Sequence, residues 1–123
     1  MDLDLMVLSA KQKAFRLGVR AESLAAWYLR FQGFSILERR YRTRYGEIDI
    51  IARRGTLVLI VEVKARNDII DAMVAVTKRS QDRIEAAAVY WLGRQKENGR
   101  LRLRYDLIII TKKFFPLHIK NFF

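Results

Sequence analysis

Two neighbouring apolar segments of this chain carry charged residues, and this combination constrains the fold more than any other feature of the sequence. Residues 45–52 read YGEIDIIA, and residues 57–64 read LVLIVEVK. A charged side chain in an apolar interior is costly, or changes its protonation state, unless a partner neutralises it. Asp49, Glu62 and Lys64 therefore need a metal ion, a ligand or one another. Two carboxylates and a lysine at the ends of paired strands indicate a divalent-metal site for phosphodiester chemistry.

The spacing of these residues predicts how they come together. Residues two apart on a strand point to the same side, so Glu62 and Lys64 share a face, as do Glu47 and Asp49. Residues 54–55, Arg-Gly, predict a hairpin turn between the two segments. An antiparallel pairing through that turn brings Asp49 close to Glu62.

A hard cation fits this pair of carboxylates. Magnesium and manganese prefer oxygen ligands and keep several waters, so Asp49, Glu62 and a main-chain carbonyl such as that of Val63 would suffice to hold one ion. Lys64 would orient the attacking water, act as a base if burial lowers its pKa, or neutralise charge in the transition state. A buried ion pair without a metal fits the same spacing.

Hydrophobic periodicity predicts an α/β or α+β fold in which helices flank a sheet. Apolar residues three and four apart indicate a helix over 11–32 that ends at Gly33, with Glu22 at the edge of its apolar stripe. The unbroken apolar run within 56–66 indicates a central strand that is covered on both faces. The remaining elements are strands over 34–42, 46–53 and 101–111, one or two helices over 71–95, and a last edge strand over 114–123.

Length and composition predict a single domain over residues 1–123 that resides in the cytoplasm. The chain is 51% hydrophobic with one Pro and six Gly, which is typical of a folded domain. It has no cysteine, which favours a reducing compartment. No apolar run approaches the roughly 20 residues that a membrane span needs. Its first residues, MDLD, lack the basic start of a secretory signal.

The charge balance predicts a polyanionic partner. The chain has 24 Lys and Arg against 13 Asp and Glu, a net charge of +11. One basic segment interleaves cations for phosphates with aromatic rings that could stack on bases; its members are Arg39, Arg40, Tyr41, Arg42, Arg44 and Tyr45. Arg100, Arg102 and Arg104 alternate and predict a second basic face on a strand. A solvated basic surface is the alternative for either segment.

Four other residues are predicted to be structural. His118, the only histidine, lies in an apolar tail, where a packed or surface residue is expected. Asp106 follows a basic strand and is expected to pair with an arginine. Trp27 and Trp91 lie on predicted helices, which favours core packing for both.

Taken together, these residues resemble the YraN-like proteins of the PD-(D/E)xK restriction-endonuclease-like superfamily, whose fold is related to that of archaeal Holliday-junction resolvases. The resemblance covers most of the chain and is carried by Gly18, residues 21–25 (AESLA), Tyr28 and Leu29, Gly33 and Phe34, residues 46–52 (GEIDIIA), residues 61–66 (VEVKAR), Lys78 and residues 104–106 (RYD). Two positions depart from the family pattern. Ala21 stands where a glycine is common before the helix glutamate, and Arg40 where an asparagine is common.

The resemblance implies a restriction-endonuclease-like core with a mixed central sheet flanked by helices, and a Mg²⁺- or Mn²⁺-dependent endonuclease acting on DNA, with branched or structured DNA as a candidate substrate. It implies that Asp49 and Glu62 are metal ligands, that Lys64 is the catalytic lysine, that Glu22 completes the acidic site, and that Lys78 contacts phosphate. Resolvase-type chemistry would favour a homodimer with two sites. The alternatives are a non-catalytic nucleic-acid-binding module that keeps the nuclease fold, and an interaction protein that binds partner chains through its apolar tail.

Overall fold

The fold is α/β, with a five-stranded mixed sheet flanked by helices, which confirms the predicted class and is consistent with a restriction-endonuclease-like core. The computed structural model describes residues 3–113 and 115–123, and the side chains of these except 3–11 and 13–16. In chain order the elements are α1 Leu3–Phe31, β1 Ser35–Arg42, β2 Glu47–Arg54, β3 Leu57–Ala65, α2 Ile69–Val74, α3 Lys78–Gly93, β4 Arg102–Ile110 and β5 Pro116–Ile119.

The strands lie side by side in sequence order, β1-β2-β3-β4-β5. Neighbouring strands are antiparallel except β3 and β4, which run parallel because α2 and α3 connect them across the sheet. As predicted, β3 is central and covered on both faces. Leu59 and Val61 enter one buried cluster, and Val58 and Ile60 enter the cluster on the opposite face.

One helix covers each of these two faces. α1 packs with small side chains, including Ala21, Ala25 and Ala26, against the cluster that contains Leu59. α3 covers the other face with Ile84, Ala87, Ala88 and Trp91. This packing confirms the prediction for Trp91. The prediction for Trp27 is wrong, because its neighbours Ala25 and Ala26 face the sheet and the Trp27 side chain is 57% exposed.

The element boundaries differ from the prediction at three places. α1 begins at Leu3 rather than at residue 11, because residues 3–10 consist largely of good helix formers. The segment 71–95 forms two helices, since Thr77 leaves the helical conformation and caps α3 by accepting a hydrogen bond from the Ser80 amide. The last strand spans only Pro116–Ile119, because the chain turns at Asn121, which has a φ of 54°.

The aromatic tail holds this short strand as predicted for residues 115–123, while Phe114 lies outside the described residues. Phe122 and Phe123 pack against the cluster of Leu107 and Ile109. Among the described helices, none is both long and apolar enough to cross a membrane.

Candidate metal centre

The β2–β3 hairpin carries Asp49 and Glu62 towards each other, as the spacing predicts. The two strands pair antiparallel from Arg54 opposite Leu57 to Ile50 opposite Val61. Asp49 and Glu62 come next in this register, where the paired ladder ends. The turn itself consists of Gly55 and Thr56 rather than Arg54 and Gly55, and Gly55 takes a φ of 62° that suits its lack of a side chain.

Asp49 lies at an interruption of the strand pattern. Ile48 and Ile50, two residues apart, enter clusters on opposite faces of the sheet, so the side-chain alternation breaks at Asp49. The Val63 amide donates a hydrogen bond to Asp49 Oδ2 at 2.8 Å, so this carboxylate takes the place of a backbone acceptor. Val63 therefore contacts the centre through its amide, and a role for its carbonyl as a ligand stays a prediction.

Glu62 and Lys64 share a face and form an ion pair within the same cluster. Lys64 Nζ lies 3.3 Å from Glu62 Oε1, and these side chains are 24% and 14% exposed. The Asp49 carboxyl group lies close enough to Glu62 to shift its pKa. Burial and the charge of Asp49 together raise the pKa of Glu62 to about 8, although Lys64 lowers it. Burial also raises the pKa of Asp49, against the hydrogen bond from the Val63 amide. Both carboxyl groups therefore take up a proton more readily than they would in water.

This donor set suits a hard divalent cation. Two adjacent, largely buried carboxyl groups with raised pKa values have Lys64 beside them as a cation, and an oxygen-preferring ion would supply further positive charge. Asp49 and Glu62 are the side chains that would hold it. Among residues 3–113 and 115–123, however, no three acidic, histidine or cysteine side chains converge closely enough to form a complete metal cage. Water and backbone oxygen would have to complete the coordination.

Glu22 reaches the centre from α1 but is engaged by an arginine. Arg40 Nε lies 3.3 Å from each Glu22 oxygen. Burial and the charge of Asp49 raise the pKa of Glu22, whereas Arg40 lowers it. Arg40 takes a φ of 51°, a left-handed conformation that asparagine adopts more readily than arginine. The asparagine that is common here in the resembled family would fit this backbone.

Two depressions flank Asp49. The first, of about 260 Å³, lies towards α1 and is lined by Gly18, Glu22, Arg40, Arg42, Glu47, Ile48 and Asp49. The second, of about 190 Å³, lies towards α3 and is lined by Glu47, Asp49, Glu62, Ser80, Arg83 and Ile84. Asp49 and Glu47 thus line both depressions, one on the side of α1 and one on the side of α3.

Sequence reasoning missed Ser80 and Arg83. Their signal is helical spacing, because Ser80 and Arg83 lie four residues before the buried Ile84 and Ala87 and so lie towards the sheet-facing side of α3. A Cβ on Gly46 would collide with the Arg83 carbonyl, so this glycine lets the β1–β2 loop lie against α3.

Comparison with known proteins decides the family. Residues 21–110 match the model of "Uncharacterised protein family UPF0102". A UPF0102 protein of Bartonella tribocorum is 58% identical over 113 residues, which cover 92% of this chain and 87% of the relative. One from Mesorhizobium japonicum is 51% identical over 115 residues, 94% of this chain and 92% of the relative. The chain belongs to the UPF0102 family. The predicted YraN-like family membership is thereby confirmed.

The basic residues predicted to bind nucleic acid lie in three different settings in this UPF0102 chain. Arg40 and Arg42 line the depression beside Asp49, and Arg42 lies 3.4 Å from Glu47. Arg39 donates to Ser23 Oγ on α1 at 3.0 Å, and Arg44 donates to the Tyr45 hydroxyl at 2.8 Å. Lys78 begins α3 and pairs with Asp82 at 2.8 Å.

The predicted second basic face of this UPF0102 chain is interrupted by a buried ion-pair network. Arg104 binds both oxygens of Asp106, at 2.9 and 2.8 Å, which confirms that Asp106 pairs with an arginine. His118 is packed, as predicted, with Nε2 2.6 Å from Asp106 Oδ2 and Nδ1 3.0 Å from the Tyr28 hydroxyl. Burial alone would raise the pKa of Asp106, but hydrogen bonds from His118, Arg104 and the Asn121 amide lower it to about 2.

Proposed function

We propose that this chain is a metal-dependent endonuclease of the PD-(D/E)xK superfamily that hydrolyses phosphodiester bonds in DNA, with branched or structured DNA as its substrate. The observation that carries the proposal is the cluster of Asp49, Glu62 and Lys64. Two largely buried carboxyl groups with raised pKa values lie together, and the Lys64 ammonium group stands 3.3 Å from the Glu62 carboxyl group. A purely structural ion pair would need one carboxylate for one lysine, and here a second carboxyl group adds to the cost of burial.

The residues of the chain divide the work of the proposed reaction. Asp49 and Glu62 would hold Mg²⁺ or Mn²⁺, and the Val63 amide fixes the orientation of Asp49. Lys64, on the same face as Glu62, would orient the attacking water and balance negative charge as the phosphate reacts. When bound, the ion would act as a Lewis acid for the phosphodiester and activate water at neutral pH.

The charge distribution supports DNA as the substrate. The chain has a net charge of +11, and Arg40, Arg42 and Arg83 border the depressions beside Asp49. These guanidinium groups would contact phosphates on either side of the scissile bond. Arg39, Arg44 and Lys78 lie farther along the same surface elements and would extend this contact.

Cleavage assays test the proposal directly. Labelled four-way, flap, single-stranded and duplex DNA would be incubated with the wild type and with Glu62→Gln, each in magnesium, manganese or EDTA. Glu97→Gln is a matched control, because Glu97 pairs with Arg53 on the surface rather than with the candidate centre. We expect cleavage by the wild type and by Glu97→Gln in either metal, and none by Glu62→Gln or in EDTA.

One observation favours the alternative of a non-catalytic nucleic-acid-binding module. Glu22 is neutralised by Arg40, and a carboxylate held in this way is a poorer metal ligand. Equal background in every lane, together with salt-dependent DNA binding that Glu62→Gln does not alter, would establish that alternative and refute the nuclease.

Resolvase-type cleavage would also favour a homodimer, which sedimentation of the protein with four-way DNA would detect. A cytoplasmic location fits the absence of cysteine from the sequence.

A further inference from the structure

An apolar groove lies on the outer side of α3, next to the candidate metal centre. It has a volume of about 540 Å³ and is lined by Tyr45, Asp82, Glu85, Ala86, Val89 and Tyr90. Val89 is 65% exposed, and Tyr45 and Tyr90 are each about two-fifths exposed. The groove thus presents apolar and aromatic surface to solvent on a strongly basic chain, where a polyanion is the expected partner.

Each of the two tyrosines is paired with an arginine. The rings of Tyr45 and Tyr90 lie 5.5 Å apart at 49° to one another. The Arg44 guanidinium lies 5.0 Å from the centre of the Tyr45 ring, and that of Arg94 lies 5.6 Å from the centre of the Tyr90 ring. Tilted rings leave a face open to a third flat group, while arginines beside them can contact a sugar-phosphate backbone.

The residues that line the groove are close in sequence to residues that line the candidate centre. Tyr45 precedes Gly46, whose close approach to the Arg83 carbonyl ties the β1–β2 loop to α3. Glu47 follows and lines both depressions beside Asp49. On α3, Ser80 and Arg83 line the depression at the centre. The residues of α3 that line the groove are Asp82, Glu85, Ala86, Val89 and Tyr90. A nucleic acid contacting the centre would therefore pass close to the groove.

We propose that this groove binds one unpaired nucleobase of the nucleic acid, stacked on Tyr90 and Tyr45. This inference rests on the proposed function, because it assumes that nucleic acid occupies the neighbouring surface. The Glu85 carboxylate disfavours a phosphate in the groove, while that of Asp82 is paired with Lys78. They accept hydrogen bonds only, and the edge of a nucleobase offers N–H donors to such groups. DNA that contains an unpaired base, such as a bulge or a flap, would then be bound in preference to a plain duplex.

A binding assay in EDTA separates this proposal from catalysis. The probes are a labelled duplex with a single-nucleotide bulge and the same duplex with an abasic bulge, at fixed salt. Stacking of one base changes affinity by roughly 5- to 150-fold, so we expect the wild type to bind the bulge that carries a base at least about fivefold more tightly. Tyr90→Ala should remove this difference, and Tyr90→Phe should keep it. With 2-aminopurine at the bulge, fluorescence should be quenched by the wild type and not by Tyr90→Ala.

Trp27→Ala is the matched control, because it removes an exposed aromatic ring that also has an arginine beside it. Arg30 lies 4.9 Å from the Trp27 ring, but α1 packs on the other face of the sheet. Its preference for the base should equal that of the wild type. Equal binding of both bulges by the wild type, or an equal loss in Trp27→Ala, would overturn the proposal, as would a dimer that dissociates in Tyr90→Ala. A base preference without cleavage in any metal would refute only the endonuclease, whereas no binding of any nucleic acid would refute both.

Discussion

Asp106 is a fully buried carboxyl group and Glu62 is a largely buried one on the adjacent strand, yet their surroundings shift their pKa values in opposite directions. In the parallel pairing of β3 and β4, Asp106 lies opposite Val61, one position from Glu62. Asp106 is fully buried and accepts hydrogen bonds from Arg104, His118 and the Asn121 amide. Glu62 has one cation, Lys64, and shares its surroundings with a second carboxyl group, that of Asp49.

The pKa values express this difference. That of Asp106 is lowered to about 2, because its donors outweigh the effect of burial. That of Glu62 is raised to about 8 by burial and by Asp49. The Asp106 network is electrostatically complete and holds α1, β4 and the chain end together. The Glu62 cluster is incomplete, and positive charge from a ligand would stabilise it. An unsatisfied carboxyl pair is therefore a better indicator of a binding site than burial alone.

Replacing the carboxyl group by an amide should lower the free energy of unfolding more at Asp106 than at Glu62. In Asp106→Asn, Arg104 loses a charged partner inside a buried network, and such a loss typically costs about 3–5 kcal/mol. Glu62→Gln keeps the shape of a side chain that is protonated at neutral pH, so the free energy of unfolding should be unchanged or higher. Urea denaturation of both variants at pH 7 measures the difference. Equal destabilisation by the two substitutions would mean that both clusters are structural.

The pH dependence of stability should differ in sign between the two groups. Between about pH 4.5 and about pH 8 the folded metal-free protein binds more protons at Glu62 than the unfolded chain, so its stability should fall as pH rises, by on the order of a few kcal/mol. Asp106 contributes stability above its unfolded pKa of 3.8, which is lost as pH falls towards about 2. Denaturation midpoints from pH 3 to pH 9 in EDTA measure both effects, the acid limb due to Asp106 and the alkaline limb due to Glu62.

Glu62→Gln is the control for the alkaline limb, because glutamine does not titrate. Its stability should vary less between pH 5 and pH 8 than that of the wild type, while the acid limb stays unchanged. A wild-type profile that is flat over this range would contradict the raised pKa of Glu62 and remove the contrast between the two carboxyl groups.

The neighbours of Glu62 could be predicted from the sequence, whereas those of Asp106 could be predicted only in part. The turn at Gly55 fixes which residues of β2 and β3 lie opposite one another, and this depends only on nearby sequence. The approach of Asp49 to Glu62 therefore follows from the strand period and the position of the turn. The pairing of Asp106 with an arginine two residues away follows from the same period. Its contacts with His118 and, through it, Tyr28 join residues 12 and 90 positions apart, and no local pattern carries them.

The orientation of helices relative to the sheet was the other feature beyond local patterns. An apolar stripe predicts that α1 packs, but the same stripe allowed Trp27 to be assigned to the core, where alanines pack instead. The contact of Glu22 with Arg40 also depends on the left-handed backbone at Arg40, which a strand pattern does not reveal.

Metal binding should stabilise the Glu62 cluster by an amount that depends on concentration. A ligand at 100 times its dissociation constant adds about 2.7 kcal/mol to the free energy of unfolding. We expect Mn²⁺ to raise the thermal midpoint of the wild type, and Asp49→Asn to abolish this shift because one of two oxygen ligands loses its charge. Differential scanning fluorimetry over a Mn²⁺ series measures it. Glu97→Gln should keep the wild-type response, and an unchanged shift in Asp49→Asn would place the ion elsewhere.

Arg40 offers the finest test, because Glu22 is intermediate between Glu62 and Asp106. Glu22 is partly buried beside Asp49 but paired with a cation. Arg40→Asn should change stability by no more than about 1 kcal/mol, since the lost pairing of a partly exposed arginine is offset by a residue that suits a φ of 51°. Arg40→Ala loses the pairing without that relief and should be the less stable variant. Both should strengthen the Mn²⁺-dependent shift, because Glu22 regains an unneutralised carboxylate beside Asp49. If neither does, Glu22 supports the centre through packing, and Asp49 and Glu62 form the whole acidic site.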